Sequence, residues 1–299
     1  YGFGKIEKIS DWEFIKKYKK PKKKKEVKKL VAYDTSILKI FQKWYTEEWI
    51  KEGISIETMG KYEIMYSPWQ QSIIIPHYDV HNQLIGVRRR AILEEDIEVF
   101  GKYTPFVSGW KIYKHSLGQN LFGLNHNLKA IQRKRKLMLV EAEKSVMQAD
   151  SIYGEDNFTV ALCGSNLTSY QKDLILSLGV KEVIIGLDKQ YETLDSEECS
   201  KWVKHIKEKI ISKLSPFMNV YVLWDTNDLL PYKASPTDMG EEVLLQLMKN
   251  KIFVPTEIIN KKGSLTENEW KIMKNHTISA KELLDEEFFH MAQNIALYH

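Results

Sequence analysis

Leu137-Met138-Leu139-Val140-Glu141 and Val183-Ile184-Ile185-Gly186-Leu187-Asp188 are short, continuous apolar runs, each closed by an acid. A run without polar alternation is the pattern of a strand covered on both faces. Thr159-Val160-Ala161-Leu162, closed by Gly164, and Val220-Tyr221-Val222-Leu223-Trp224, followed by Asp225, repeat it. Helical patterns separate the runs. One passes through Val146 and Ala149; a second opens on the capping box Thr168-Ser169-Tyr170-Gln171 and shows Leu174, Ile175 and Leu178 on one face; a long amphipathic third covers 195–213. Strands alternating with helices predict an α/β fold with a mainly parallel sheet flanked by helices.

In such sheets ligands gather beyond the carboxyl ends of the strands. Glu141, Asp188 and Asp225 close three strands there, and Asp238 lies in the loop after the last. Converging carboxylates suit Mg²⁺, a hard cation that prefers oxygen, and two such ions would hold a triphosphate and activate a hydroxyl for in-line attack. Acids at strand ends are also common in inert loops, so topology alone leaves a metal site open.

Upstream, Asp34-Thr35 starts a helical pattern through Ile37, Leu38, Phe41, Trp44 and Tyr45, and Ser55-Ile56-Glu57-Thr58 offers capping for a short helix. Ser72-Ile73-Ile74-Ile75-Pro76 and Leu84-Ile85-Gly86-Val87 predict a hairpin around Val80-His81-Asn82-Gln83, with a looped region from there to about Leu124. Arg88-Arg89-Arg90 leaves a strand, so alternate arginines share a face. Tyr103, Phe106, Trp110 and Tyr113 interleave with Lys102, Lys111 and Lys114, and Lys129 and Arg133 to Lys136 precede the strand at 137, a pattern that suits base stacking and phosphate binding or, equally, a packed core.

The 299 residues are 43 % hydrophobic and 28 % charged, ordinary for a globular chain. Residues 16–29 hold ten lysines against Glu26, a local charge of +9, leaving −5 on the rest of a chain whose total is +4. That run reads as a solvated linker with the capacity to bind a polyanion. No apolar stretch approaches a membrane span, and Cys163 and Cys199 cannot build a four-cysteine zinc site, so a reduced cytoplasmic setting is expected. A first residue of Tyr1 suggests a fragment of a longer chain.

Leu139-Val140-Glu141-Ala142-Glu143-Lys144-Ser145 resembles the glutamate motif that opens TOPRIM domains, and Leu187-Asp188-Lys189-Gln190-Tyr191 sits where their DxD motif belongs. Ala161-Leu162-Cys163-Gly164-Ser165-Asn166, Ile75-Pro76-His77-Tyr78-Asp79 with Leu84 to Arg90, Gly101-Lys102-Tyr103-Thr104-Pro105, Asn120 to Leu124 and Gly53 to Thr58 resemble, in order, further segments of DnaG-type DNA primases of phage or plasmid character. The collinear match covers roughly 35–250. The resemblance implies primer synthesis from ribonucleoside triphosphates on single-stranded DNA, with Mg²⁺ or Mn²⁺ and a replicative helicase as partner. Glu141 would be the base or metal-linked acid; Asp188, Asp225 and Asp238 would place divalent ions. Arg88, Arg90 and Lys102, with Lys114 and Lys144, would face template or nucleotide. Two departures stand out: Gln190 replaces the second acid of DxD, and Ala234 replaces an aspartate common in primases. Glu143 or Glu192 are candidates to compensate.

The expected organisation is a basic linker over 1–30, an α+β primase N-terminal subdomain over 31–128, a TOPRIM domain over 129–252 and a short helical tail over 253–299. The tail from Val254 resembles HD-GYP phosphodiesterases, with His276 and His299 at metal-binding positions, but Leu247 and Met248 stand where the His-Asp dyad belongs, so no hydrolase site is expected. A zinc module is expected outside this chain. Alternatives are another TOPRIM enzyme such as a nuclease, or a non-catalytic nucleic-acid-binding module.

Overall fold

A computed structural model describes residues 30–255. The lysine run and the HD-GYP-like tail from Thr256 lie outside the described residues. Those from Val31 on belong to one compact unit built on two five-stranded sheets.

The first sheet runs in the order β1 (Met65–Ser67), β2 (Ser72–Tyr78), β3 (Leu84–Ala91), β4 (Tyr103–Ser108) and β5 (Lys111–Tyr113), all antiparallel. Asp79 makes the expected hairpin turn, its Oδ1 accepting the N–H of His81 and Gln83. Pleating assigns the faces: Ile73 and Ile75 stand opposite Arg90 and Arg88, while Ile74 stands opposite Arg89. Ile73 and Ile75 join the large core beneath, and Ile74 joins a smaller cluster with Phe41, Met65 and Phe106 on the other side. The stretch expected to be looped up to Leu124 holds β4, β5 and the helix Glu94–Phe100 instead. The helix expected from Asp34 to Tyr45 is a 3₁₀ segment, Thr35–Ile40; Gln42 then exchanges backbone bonds with Tyr66, which ends the helical path.

The second sheet has the order β10 (Ile252–Val254), β9 (Asn219–Val222), β8 (Glu182–Ile185), β6 (Lys136–Val140), β7 (Thr159–Ala161). β9, β8, β6 and β7 are parallel, and β10 pairs antiparallel along β9. At the opposite edge Phe122 exchanges two backbone bonds with Ala161. Leu137 to Val140 and Val183 to Ile185 are fully buried, as expected of strands covered on both faces. Burying each such side chain contributes about 1.5–3 kcal/mol. Both sequence-read caps are present: the Ser55 hydroxyl accepts from Thr58 N–H ahead of the helix Ile56–Lys61, and Thr168 and Gln171 form a reciprocal capping box. The long helix is Glu197–Ile206, continued by a π-helical turn, Lys207–Ile211, that keeps Ile210 and Ile211 inward.

One core joins Trp49, Ile54, Met59 and Tyr62 to Leu139, Val146 and Ile184, so it runs across the 128/129 boundary. Asp150, on the helix Glu143–Tyr153, ties the two layers together: its carboxylate accepts from Lys61 Nζ, Thr58 Oγ1 at 3.2 Å and Asn157 Nδ2 at 3.1 Å. Removing a buried anion strands its donors, which is the costly way to break such a network. Asp150→Ala is expected to lower stability by about 3 kcal/mol, read as an earlier midpoint in urea. A shift under about 0.5 kcal/mol would show that the network carries nothing.

Candidate active site

β6 and β8 are neighbours, and Gly186 N–H donates to Leu139 O at 2.8 Å, extending the ladder one step past β8. The chain then turns, and Glu141 and Asp188 project at the same end of the sheet. Lys189 exchanges two backbone bonds with the loop at 233–234, which carries Ser235 to Asp238 over that end. Glu141 Oε2 and Asp188 Oδ1 are each buried from solvent without a hydrogen-bond partner. Burial raises the Glu141 carboxyl. Asp188 is pushed up to about 7, first by burial and then by the negative charges of Glu141 and Asp238, against the pull of Lys144. Two carboxylates within electrostatic reach of each other, each with an orphaned oxygen, are the donor chemistry of a hard divalent cation.

Asp238 lies within electrostatic reach but is already bonded. Its Oδ1 accepts from Lys144 Nζ at 2.8 Å and Gln148 Nε2 at 3.1 Å, and its Oδ2 accepts from Ser235 N–H at 2.8 Å. Burial alone would raise its carboxyl; the Lys144 ammonium and these hydrogen bonds hold it low. Thr237 Oγ1 donates to Gln148 Oε1 and shares a hydrogen bond with Ser235 Oγ, so this loop is fixed onto the helix Glu143–Tyr153.

Asp225, expected as a metal acid, is engaged by donors of the protein itself. Its carboxylate accepts from Leu229 and Leu230 N–H at 2.9 and 2.8 Å and from Lys189 Nζ at 3.0 Å, and it is almost fully buried. A carboxylate so bonded organises the loop after β9. Lys189 also reaches Asp228 at 2.8 Å and Leu230 O at 2.9 Å.

Glu143, a candidate to replace the missing DxD acid, is likewise committed. Buried, it accepts from His77 Nε2 at 3.1 Å and from the Arg88 guanidinium. Burial alone would raise it, but the His77 hydrogen bond and the Arg88 charge hold it at about 2. Gly86 lets the His115 ring lie against β3, where a Cβ would come within 2.5 Å of its Nδ1. His77 Nε2 or Nδ1, a Glu143 oxygen and Cys163 Sγ lie within 4.8 Å of one another. Arg88 already supplies the cation of this group.

Of the basic candidates, Arg88 is thus turned inward. Arg90, on the same face, donates to Glu48 at 3.2 Å and lies over the Trp49 ring. Burial and the charges of Arg90 and Lys144 push the Lys102 ammonium down, so these three cations share one neighbourhood, with Glu52 and Glu48 nearby. Lys114 lies elsewhere, in a surface groove with Gln70, Arg89, Phe100 and Val107. Sequence reading missed His205, which lies within electrostatic range of Glu141 while its Nε2 bonds Ser165 O at 2.9 Å, and the Lys144–Asp238 pair. No sequence signal marks either, because each contact joins segments far apart along the chain.

The fold is that of the DnaG primase catalytic core. The Aquifex aeolicus primase (zinc-binding and RNA polymerase domains) superposes with a TM-score of 0.57 at 18 % identity, covering 87 % of this chain and 68 % of that one. A DnaG primase catalytic domain bound to single-stranded DNA gives 0.51 at 15 %, covering 82 % and 86 %. In sequence, the chain is 40 % identical over 271 residues to the SPbeta prophage-derived uncharacterized protein YorJ of Bacillus subtilis (strain 168), covering 86 % of this chain and 71 % of that protein. The chain belongs to the YorJ family. No protein-family model matches it. Among the described residues no helix is long and apolar enough to cross a membrane.

The raised Asp188 carboxyl has a stability consequence of definite sign. The unfolded chain releases this proton near 3.8 and the folded chain near 7, so folding is progressively disfavoured as pH rises through that window. Without divalent ions, Asp188→Asn is expected to stabilise the protein at pH 8 by on the order of 2 kcal/mol, allowing for solvent screening. The gain should vanish near pH 4. Urea titrations in EDTA at both values check this; an equal gain at the two would refute it.

Proposed function

We propose that this chain synthesises RNA primers on single-stranded DNA, with a TOPRIM-type centre at the carboxyl end of the parallel sheet. The observation that carries the reading is the pair of buried, unpartnered oxygens on Glu141 and Asp188, at the ends of adjacent parallel strands in a primase fold. These residues fit Mg²⁺ or Mn²⁺: they offer oxygen donors alone, and each has an oxygen left unsatisfied. A divalent ion bound there supplies charge neutralisation and positioning of the triphosphate.

The reaction joins a nucleotide 3′-oxygen to the α-phosphorus of an incoming ribonucleoside triphosphate. The O3′–Pα bond forms, the bond from Pα to the bridging oxygen breaks, pyrophosphate departs, and the hydroxyl proton is lost. Glu141, raised by burial, is suited to hold the hydroxyl in place and take that proton. Lys102, Arg90 and Lys144 gather positive charge beside the acids and would steer the phosphates. A related primase domain is known bound to single-stranded DNA, which supports a DNA template here as well.

Glu141→Gln keeps the shape and removes the base. It is expected to lower ribonucleotide incorporation on single-stranded DNA at least roughly 100-fold while leaving DNA binding within about twofold. Undiminished incorporation by the folded variant would remove Glu141 from the chemistry; cleavage of the DNA without incorporation would replace synthesis by a nuclease activity.

A further inference from the structure

We propose that Lys144 takes the place of a second divalent ion, so that the centre uses one metal ion, on Glu141 and Asp188, together with one built-in ammonium. The inference rests on the reading of that centre as a primase metal site and specifies its charge.

Lys144 sits in the first turn of the helix Glu143–Tyr153, where the helix dipole disfavours a cation. Something local must offset that cost, and two carboxylates do: Asp238 Oδ1 at 2.8 Å and Glu52 Oε2 at 3.2 Å. The side chain retains 20 % exposure, so the ammonium closes the acidic end of the sheet yet still faces solvent. From there its charge reaches Asp188.

A second metal ion at Asp238 would need donors, and those around that carboxylate are committed. Both oxygens of Asp238 are bonded, to Lys144, Gln148 and Ser235 N–H. The hydroxyls of Ser235 and Thr237 bond each other, and Thr237 also donates to Gln148. Gln190, two residues past Asp188, offers an amide in place of a carboxylate. Asp225 is bonded to Lys189 and two backbone N–H groups. A divalent ion at Asp238 would therefore have to displace Lys144 in a neighbourhood that also holds Lys102 and Arg90. Charge balance agrees: one divalent ion neutralises Glu141 and Asp188, while Lys144, with Lys102 and Arg90 beside it, offsets Asp238, Glu52 and Glu48. The ammonium is also a point donor suited to a triphosphate oxygen.

The test counts Mn²⁺ on the whole chain, by calorimetric titration and by the electron paramagnetic resonance signal of bound ion. The wild type is expected to bind one equivalent without spin coupling between ions, Lys144→Arg to keep one, and Lys144→Met to bind two. Two equivalents on the wild type, or one on a folded Lys144→Met variant, would overturn the proposal while leaving the metal centre in place. Should Lys144→Met not fold, Lys144→Gln is read in the same way. If the wild type binds no Mn²⁺, or binding is unchanged in Glu141→Gln, the underlying primase-site reading fails instead, and that outcome is separate from the count.

Discussion

Leu139 and Ile185 lie side by side in the register of β6 and β8, and the centre depends on that pairing. Parallel neighbours end at the same edge of a sheet, so two acids placed just beyond their ends start from that one edge. Hydrophobic burial of both strands on both faces holds the acids at a separation they would not choose. Asp188 is shifted upward first by burial and only then by the negative charges of Glu141 and Asp238. Everything else at that end of the molecule responds to the concentration of negative charge.

The response takes one form three times. Arg88 neutralises buried Glu143, Lys189 neutralises buried Asp225, and Lys144 neutralises Asp238. Each pair joins residues more than thirty positions apart and each is reinforced by hydrogen bonds, which is the condition under which a buried ion pair is tolerated. Glu141 and Asp188 differ from these three acids in having a buried oxygen with neither a hydrogen bond nor a paired cation. The contrast within one chain separates acids neutralised in place from acids that are not.

The apolar runs around Leu139 and Ile185 announced the parallel sheet, and the Ser55 and Thr168 caps announced helix starts, because each signal is local: burial on both faces needs a continuous run, and a cap needs one side chain near one N–H. β4, β5 and the helix Glu94–Phe100 were illegible because they are largely exposed at a sheet margin, where Tyr103 to Tyr113 shows no clean alternation. For the centre, position along the chain brought out Glu141 and Asp188. It did not reveal that Arg88 turns inward to Glu143 or that Asp225 is bonded to Lys189, since charge pairing across dozens of residues leaves no trace in spacing.

Both margins of the parallel run are flanked among the described residues: β10 runs antiparallel along β9, and Phe122 pairs with Ala161 beside β7. Unpaired strand margins are templates for further strands, and aggregation begins there. The outer strand on the β9 side is thereby cut to the three residues Ile252 to Val254, and so short an edge offers little template. Phe253 packs on Tyr221, and Lys251 pairs with Glu182 at 3.3 Å, fastening this short guard in place. A chain cut just before Ile252 would keep every acid discussed above and still expose the β9 backbone, so the acids and the guard on the edge lie in different parts of the same sheet.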